Sequence, residues 1–178
     1  MRKVGGVLVV AALLLPVGLM ALPAGAAGGT SCTVPSGKIT VSPGLTNTPT
    51  KNKITFNLPF TNCNGGGVKS ATAIGVIPPA TPGTCGSLAT GPALSITTTI
   101  KWNNQTTSTF VGKAKTAAGG APKGFVATAT VTGTITKGVF LHLNASVKVA
   151  VALGSGDCSA AHPIKNLTVK GMTPFVIK

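Results

Sequence analysis

One carboxylate side chain, Asp157, two histidines, His142 and His162, and four cysteines, Cys32, Cys63, Cys85 and Cys158, are the groups on which acid–base or metal chemistry could be built in these 178 residues. A lone carboxylate leaves no paired-acid site for glycoside hydrolysis and no acidic cage for Ca²⁺ or Mg²⁺. A Ser–His–Asp set can be drawn on paper from His142 or His162 with Asp157, but no nucleophile motif accompanies it. His142 falls on the threonine-rich side of an alternating segment, and His162 precedes Pro163 in a loop beside Cys158. A zinc site built from Cys and His would need reduced thiols. The expectation is a non-enzymatic chain with no catalytic residues, no cofactor and no metal.

The cysteines point instead to oxidation. The chain opens with Arg2 and Lys3, an apolar run from Val7 to Leu22, and the small residues Ala24, Gly25 and Ala26. That order is the signature of a cleavable secretory signal over residues 1–27. Pro16, Gly18 and Pro23 interrupt the run and argue against a membrane anchor. Removal of 27 of the 178 residues leaves 151, a single domain at 28–178. All four cysteines lie in it, and an even count in an exported chain implies two disulfides. Three pairings are possible. The favoured one joins Cys32 to Cys63, tying neighbouring strands, and Cys85 to Cys158 across a long loop.

Charge narrows the partners. Without Arg2 and Lys3 the exported chain keeps 13 lysines against one acid, a formal charge of +12. Such a surface attracts anionic polymers, including the phosphate-bearing polymers of a bacterial wall. The lysines are spread along the chain, and arginine, the residue suited to bidentate phosphate recognition, is missing from the exported part. This speaks against a specific nucleic-acid site. The location expected is secreted or cell-wall associated, with no membrane span after cleavage.

Trp102 is the single tryptophan, with no tyrosine and six phenylalanines beside it. With Asn103, Asn104 and Gln105 it could form a stacking platform and amide contacts for a sugar. Alternatively, because it shares a face with Leu94, Ile96 and Ile100, it is a core plug. The second reading is favoured, since such platforms usually need several aromatics.

These residues are carried by strands. Leu141, Leu143, Ala145, Val147, Val149, Val151 and Leu153 alternate with His142, Asn144, Ser146 and Lys148. Upstream, Phe125, Ala127, Ala129, Val131, Gly133 and Ile135 alternate with threonines. A three-residue turn at Thr136, Lys137 and Gly138 predicts a long hairpin in which Ile135 faces Val139 and Val131 faces Leu143. A strand from Val139 to Leu153 is long enough to be expected to bend or break. Ile54, Phe56, Leu58 and Phe60 form another dry face, and Ile74 and Val76 are expected to share one face of the next strand with Val68. Seven to nine short strands separated by turn signals predict an all-β, antiparallel β-sandwich, immunoglobulin-like in general architecture.

Taken together, Ser31–Cys32 before a short strand and Pro43–Gly44–Leu45, Cys63 ahead of glycines, Cys85 with Ser87 and Leu88, Trp102 before a polar turn and Ser108–Thr109, Gly138 and Phe140, and Cys158 before the closing strands make a recurring arrangement. It resembles a family of small, uncharacterised secreted proteins of high-GC Gram-positive bacteria. The resemblance implies an exported β-rich domain and carries over no catalytic residue. Where such proteins tend to place glycine in the turn after the tryptophan, this chain has Asn104 and Gln105. The function expected is that of a structural or binding module of the envelope or medium, held together by two disulfides and drawn to anionic polymers by its lysines. The alternative is a carbohydrate-binding module centred on Trp102.

Overall fold

Alternation of apolar and polar side chains commits a segment to the extended state, and the two faces of each long strand follow from it. The computed structural model describes residues 28–79 and 82–178; the expected signal at 1–27 lies outside the described residues. In chain order the elements are β1 (Thr30–Thr33), β2 (Gly37–Leu45), β3 (Thr50–Lys51), β4 (Lys53–Asn64), β5 (Ala71–Ile77), β6 (Pro82–Gly83), α1 (Ser87–Thr90), β7 (Leu94–Trp102), β8 (Thr107–Ala117), β9 (Ala127–Gly138), β10 (Asn144–Leu153), β11 (Ile164–Gly171) and β12 (Phe175–Ile177). In β7 the pattern is plainest: Ile96, Thr98, Ile100 and Trp102 are buried, while Ser95, Thr97, Thr99 and Lys101 are exposed.

Eight strands, β2, β4, β5, β7, β8, β9, β10 and β11, pair antiparallel each with the next, and β11 returns to β2. The sheet therefore closes on itself as an up-and-down barrel. Closure is made twice. Towards one end β2 and β11 fill the gap between β4 and β10, with Ile39 opposite Leu167. Towards the other end the terminal strands β1 and β12 fill the same gap, Ser31 pairing with Asn64 of β4 and Ile177 with Ala145 of β10. Gly171 N–H donates to the Val34 carbonyl at 3.1 Å where the two pairs of closing strands turn their corners. The pair β3–β6 stands apart as a two-residue ladder.

The all-β, antiparallel expectation holds; the sandwich does not. Period-two alternation gives each strand a dry face but does not say whether those faces line one closed sheet or two opposed ones. The pairings β9–β10 and β2–β11 decide it, because they leave no free edge on any of the eight strands.

The long hairpin is present with a different register. Val147 pairs with Val131 and Val149 with Ala129, a slip of four residues from the expected pairs. An even slip keeps every side chain on its face, so the faces are as expected while the partners are not. The slip lengthens the connection to residues 139–143. Phe140 and His142 adopt left-handed conformations there (φ 66° and 69°), and Phe140 folds inward as a plug. Leu141, expected on the dry face, is 46% exposed at the tip, and the strand expected from Val139 starts only at Asn144.

In β5 the bulkier aliphatic face is the outer one. Ile74 and Val76 are 40% and 48% exposed on the outside, and Ala71, Ala73 and Gly75 face inward. The inside of β4 explains this, since Phe56 reaches across the neighbouring strand. The Phe56 ring occupies the space that a side chain at Gly75 would need. Only small residues leave room for it.

Candidate functional site

The inward faces converge on a cavity of about 160 Å³ in the barrel lumen. Its wall is almost entirely carbon: Ile, Leu, Val, Phe and Ala side chains, with Thr98 and Thr116 the two hydroxyl-bearing residues. Alanines at 73, 114 and 129 account for part of the free volume. An eight-stranded barrel has an interior just wide enough to be filled by side chains or to hold one small ligand. This one is filled at one end and open in the middle.

At the filled end the lumen has a floor. Phe60 stacks on Phe175 with ring centroids 4.5 Å apart, and Trp102 meets Phe140 edge-on at 5.2 Å. Cys32 and Cys63 form a disulfide between β1 and β4 beside them. Trp102 is 3% exposed, and its indole N–H donates to Ser108 Oγ at 2.9 Å; that hydroxyl in turn donates to the Val139 carbonyl. A buried indole with its polar atom satisfied is a plug. The sugar-stacking platform considered for Trp102 is therefore not offered at the surface. Its expected partners build the turn instead. Asn103 Oδ1 accepts from the backbone N–H of Lys69 at 2.8 Å and of Ser70 at 3.2 Å, and Asn104 Oδ1 accepts from Thr106. Gln105 takes the left-handed conformation (φ 64°) that a glycine would adopt most readily.

The other end is a mouth. Ile54, Ile77 and Leu94 line the lumen there and are only half-buried, whereas Ile100, Ile135 and Ile177 at the floor are buried almost completely. The second disulfide, Cys85–Cys158, joins the β5–β7 connection to the β10–β11 connection. Those two connections lie four strands apart in a ring of eight, on opposite sides of the mouth. The segment that carries Cys85 thus runs across the opening as a strap. Cys85 N–H donates to the Thr46 carbonyl at 3.0 Å and Asn47 N–H to the Cys158 carbonyl at 2.8 Å, so a third loop is tied in. From the strap the one-turn helix α1 points Leu88 at the cavity.

Among the described residues, the groups able to titrate lie outside the lumen. His142 is exposed in the β9–β10 turn rather than on a strand. His162 Nδ1 is 3.8 Å from Asp157 Oδ2, with both side chains mostly exposed, an arrangement worth little. The Ser159 hydroxyl and its backbone N–H both donate to Asp157 and hold the carboxyl below its ordinary range. Ser159 Oγ also accepts from the His162 backbone N–H at 3.0 Å. These bonds close a loop.

The lumen has a sequence signal of its own, apart from alternation. Inward positions on β5, β8 and β9 carry Ala71, Ala73, Gly75, Gly112, Ala114, Ala127, Ala129 and Gly133, too little volume to fill a barrel of eight strands. The two disulfides accord with an oxidising compartment. No family model, no curated protein and no solved structure matches the chain.

Proposed function

We propose that this is an exported, non-enzymatic binding protein that holds a small apolar molecule in its barrel lumen. The observation that carries this reading is the carbon-walled cavity. At ~24 cal/mol per Å³, 160 Å³ left empty corresponds to about 4 kcal/mol of stability forgone, against a typical total of ~5–15 kcal/mol. Enlarging one alanine in the wall would recover part of it. An apolar cavity of ~150 Å³ stays dry and admits benzene or xenon. Each CH₂ transferred into such a site is worth about 0.8 kcal/mol.

The exterior supports a soluble carrier. Of the 13 lysines at and beyond residue 38, twelve are exposed and Lys148 is half-buried. A dry inside and a lysine- and threonine-covered outside is the reverse of the pattern a membrane-spanning barrel needs. The same surface supports diffuse attraction to anionic wall polymers, with retention that collapses between about 50 and 200 mM salt.

Titration of the oxidised protein with benzene and with xenon, followed by methyl NMR, tests the lumen. The expected result is shifts confined to lining methyls such as those of Val131, Val147 and Leu167. Val131→Phe, which fills the cavity, is expected to remove them. Lining methyls that do not respond to either probe would refute the reading.

A further inference from the structure

We infer that the lumen takes the tail of a single-chain anionic amphiphile, inserted past Leu88, with its head group left among the lysines of the mouth. This rests on reading the lumen as a binding site. The floor is sealed by the Phe60–Phe175 stack, Trp102 and Phe140, so a ligand has one way in. Leu88 is the side chain in that way. It belongs to a helix of four residues, none of them buried, with no side-chain cap at its start. The strap that carries it is fastened at Cys85, and the turn is knit by the Thr84 N–H donating to Ser87 Oγ at 2.8 Å. A stopper on a single turn of helix with no buried residue, held between the Cys85 disulfide and the start of β7, is displaced at smaller cost than a side chain on a barrel strand.

The head group follows from what the lumen lacks and the mouth has. Among the described residues no charged side chain lines the cavity, so a charged or strongly polar head drawn inside would be left unpaired. The strand ends that surround the mouth carry Lys51, Lys53, Lys115 and Lys165, with Asp157 the lone acid. An anion there gains from several exposed ammonium groups, and a cation is repelled. By the scale of the benzene-sized cavity, a tail of about six to eight carbons fills the space.

The test compares three probes with one tail, octanoate, 1-octanol and octylammonium, binding to the oxidised protein by calorimetry and methyl NMR at low and high salt. Octanoate is expected to bind about tenfold tighter than octanol, the sum of two or so exposed ion pairs, with octylammonium the weakest. The octanoate advantage should vanish in the Lys53→Gln/Lys115→Gln variant and near ~0.5 M salt. Leu88→Ala should speed association and dissociation together by several-fold while leaving that order of affinity intact, and Leu88→Trp should slow both. Equal binding of octanoate and octylammonium, or exchange rates indifferent to residue 88, would overturn this inference while leaving the lumen reading in place. If none of the three moves the lining methyls and xenon also fails to, the lumen reading falls first. Anionic vesicles that bind the protein without moving those methyls would mark a surface lipid effect and count against the inference.

Discussion

The two ends of the barrel use the same materials to opposite effect. At the floor, Cys32–Cys63 staples strands that are already paired, β1 and β4, and aromatic rings complete the seal. At the mouth, Cys85–Cys158 joins two connections that no ladder brings together, and the space beneath stays open. A disulfide between neighbours adds to a wall; a disulfide across a diameter substitutes for one. The floor is therefore expected to govern stability, and the mouth to govern exchange.

The sharpest way to break that contrast is to unplug the floor. Trp102→Ala leaves a large void and removes the indole donor to Ser108 Oγ, and should cost about 3–5 kcal/mol in chemical denaturation followed by circular dichroism. Leu88→Ala at the mouth, by the same measurement, should cost about 1 kcal/mol or less. Comparable losses at the two ends would remove the distinction.

Removing each disulfide separates the roles more finely. The loops they close span 31 and 73 residues, so chain entropy assigns roughly 4 kcal/mol to each. Cys32→Ala/Cys63→Ala should show that loss with the benzene exchange rate unchanged. Cys85→Ala/Cys158→Ala should show a similar loss together with faster exchange, because the strap loses its anchor. Faster exchange in the first variant alone would place the opening at the wrong end.

The floor and the mouth were also unequally legible in the sequence. Cys32, Cys63, Cys85 and Cys158 pair in the structure as favoured, and Trp102 lies on the face that alternation assigned to it. What alternation could not supply was the partner of each face. Period two is blind to a four-residue slip, so a strand expected from Val139 gives no sign that Phe140 is a plug. It is equally blind to which face is dry when both carry apolar groups, as in β5. There Ile74 and Val76 outweigh Ala71, Ala73 and Gly75 in hydrophobicity, yet Phe56 of the neighbouring strand requires the smaller face. The mouth depends on a contact between loops whose only sequence mark is a pair of cysteines, and sequence alone leaves their pairing among three choices.

Gly75→Ala measures how tightly the wall behind the lumen is packed. The Phe56 ring sits where the new methyl must go, and displacing it should cost about 1–3 kcal/mol. Because that ring also lines the cavity, its displacement should alter benzene affinity as well. A neutral effect on both would mean that β4 and β5 yield more readily than the floor does.

The smallest effect is expected from acid, again at the mouth. Asp157 is the only side-chain carboxylate, and donation from Ser159 lowers its pKa in the folded protein. A depressed carboxyl stabilises the fold above its unfolded pKa, and that contribution is lost as pH falls through the folded value. The group is fully exposed, so the stabilisation is slight. Acid unfolding ordinarily works by protonating many paired carboxylates, and this chain has one. The melting temperature should therefore stay nearly level from pH 7 to about 4, with a shallow decline only below the ordinary carboxylate range. Asp157→Asn should erase even that decline. A steep acid transition, present in wild type and unchanged in Asp157→Asn, would mean that groups other than this carboxylate set the acid limit.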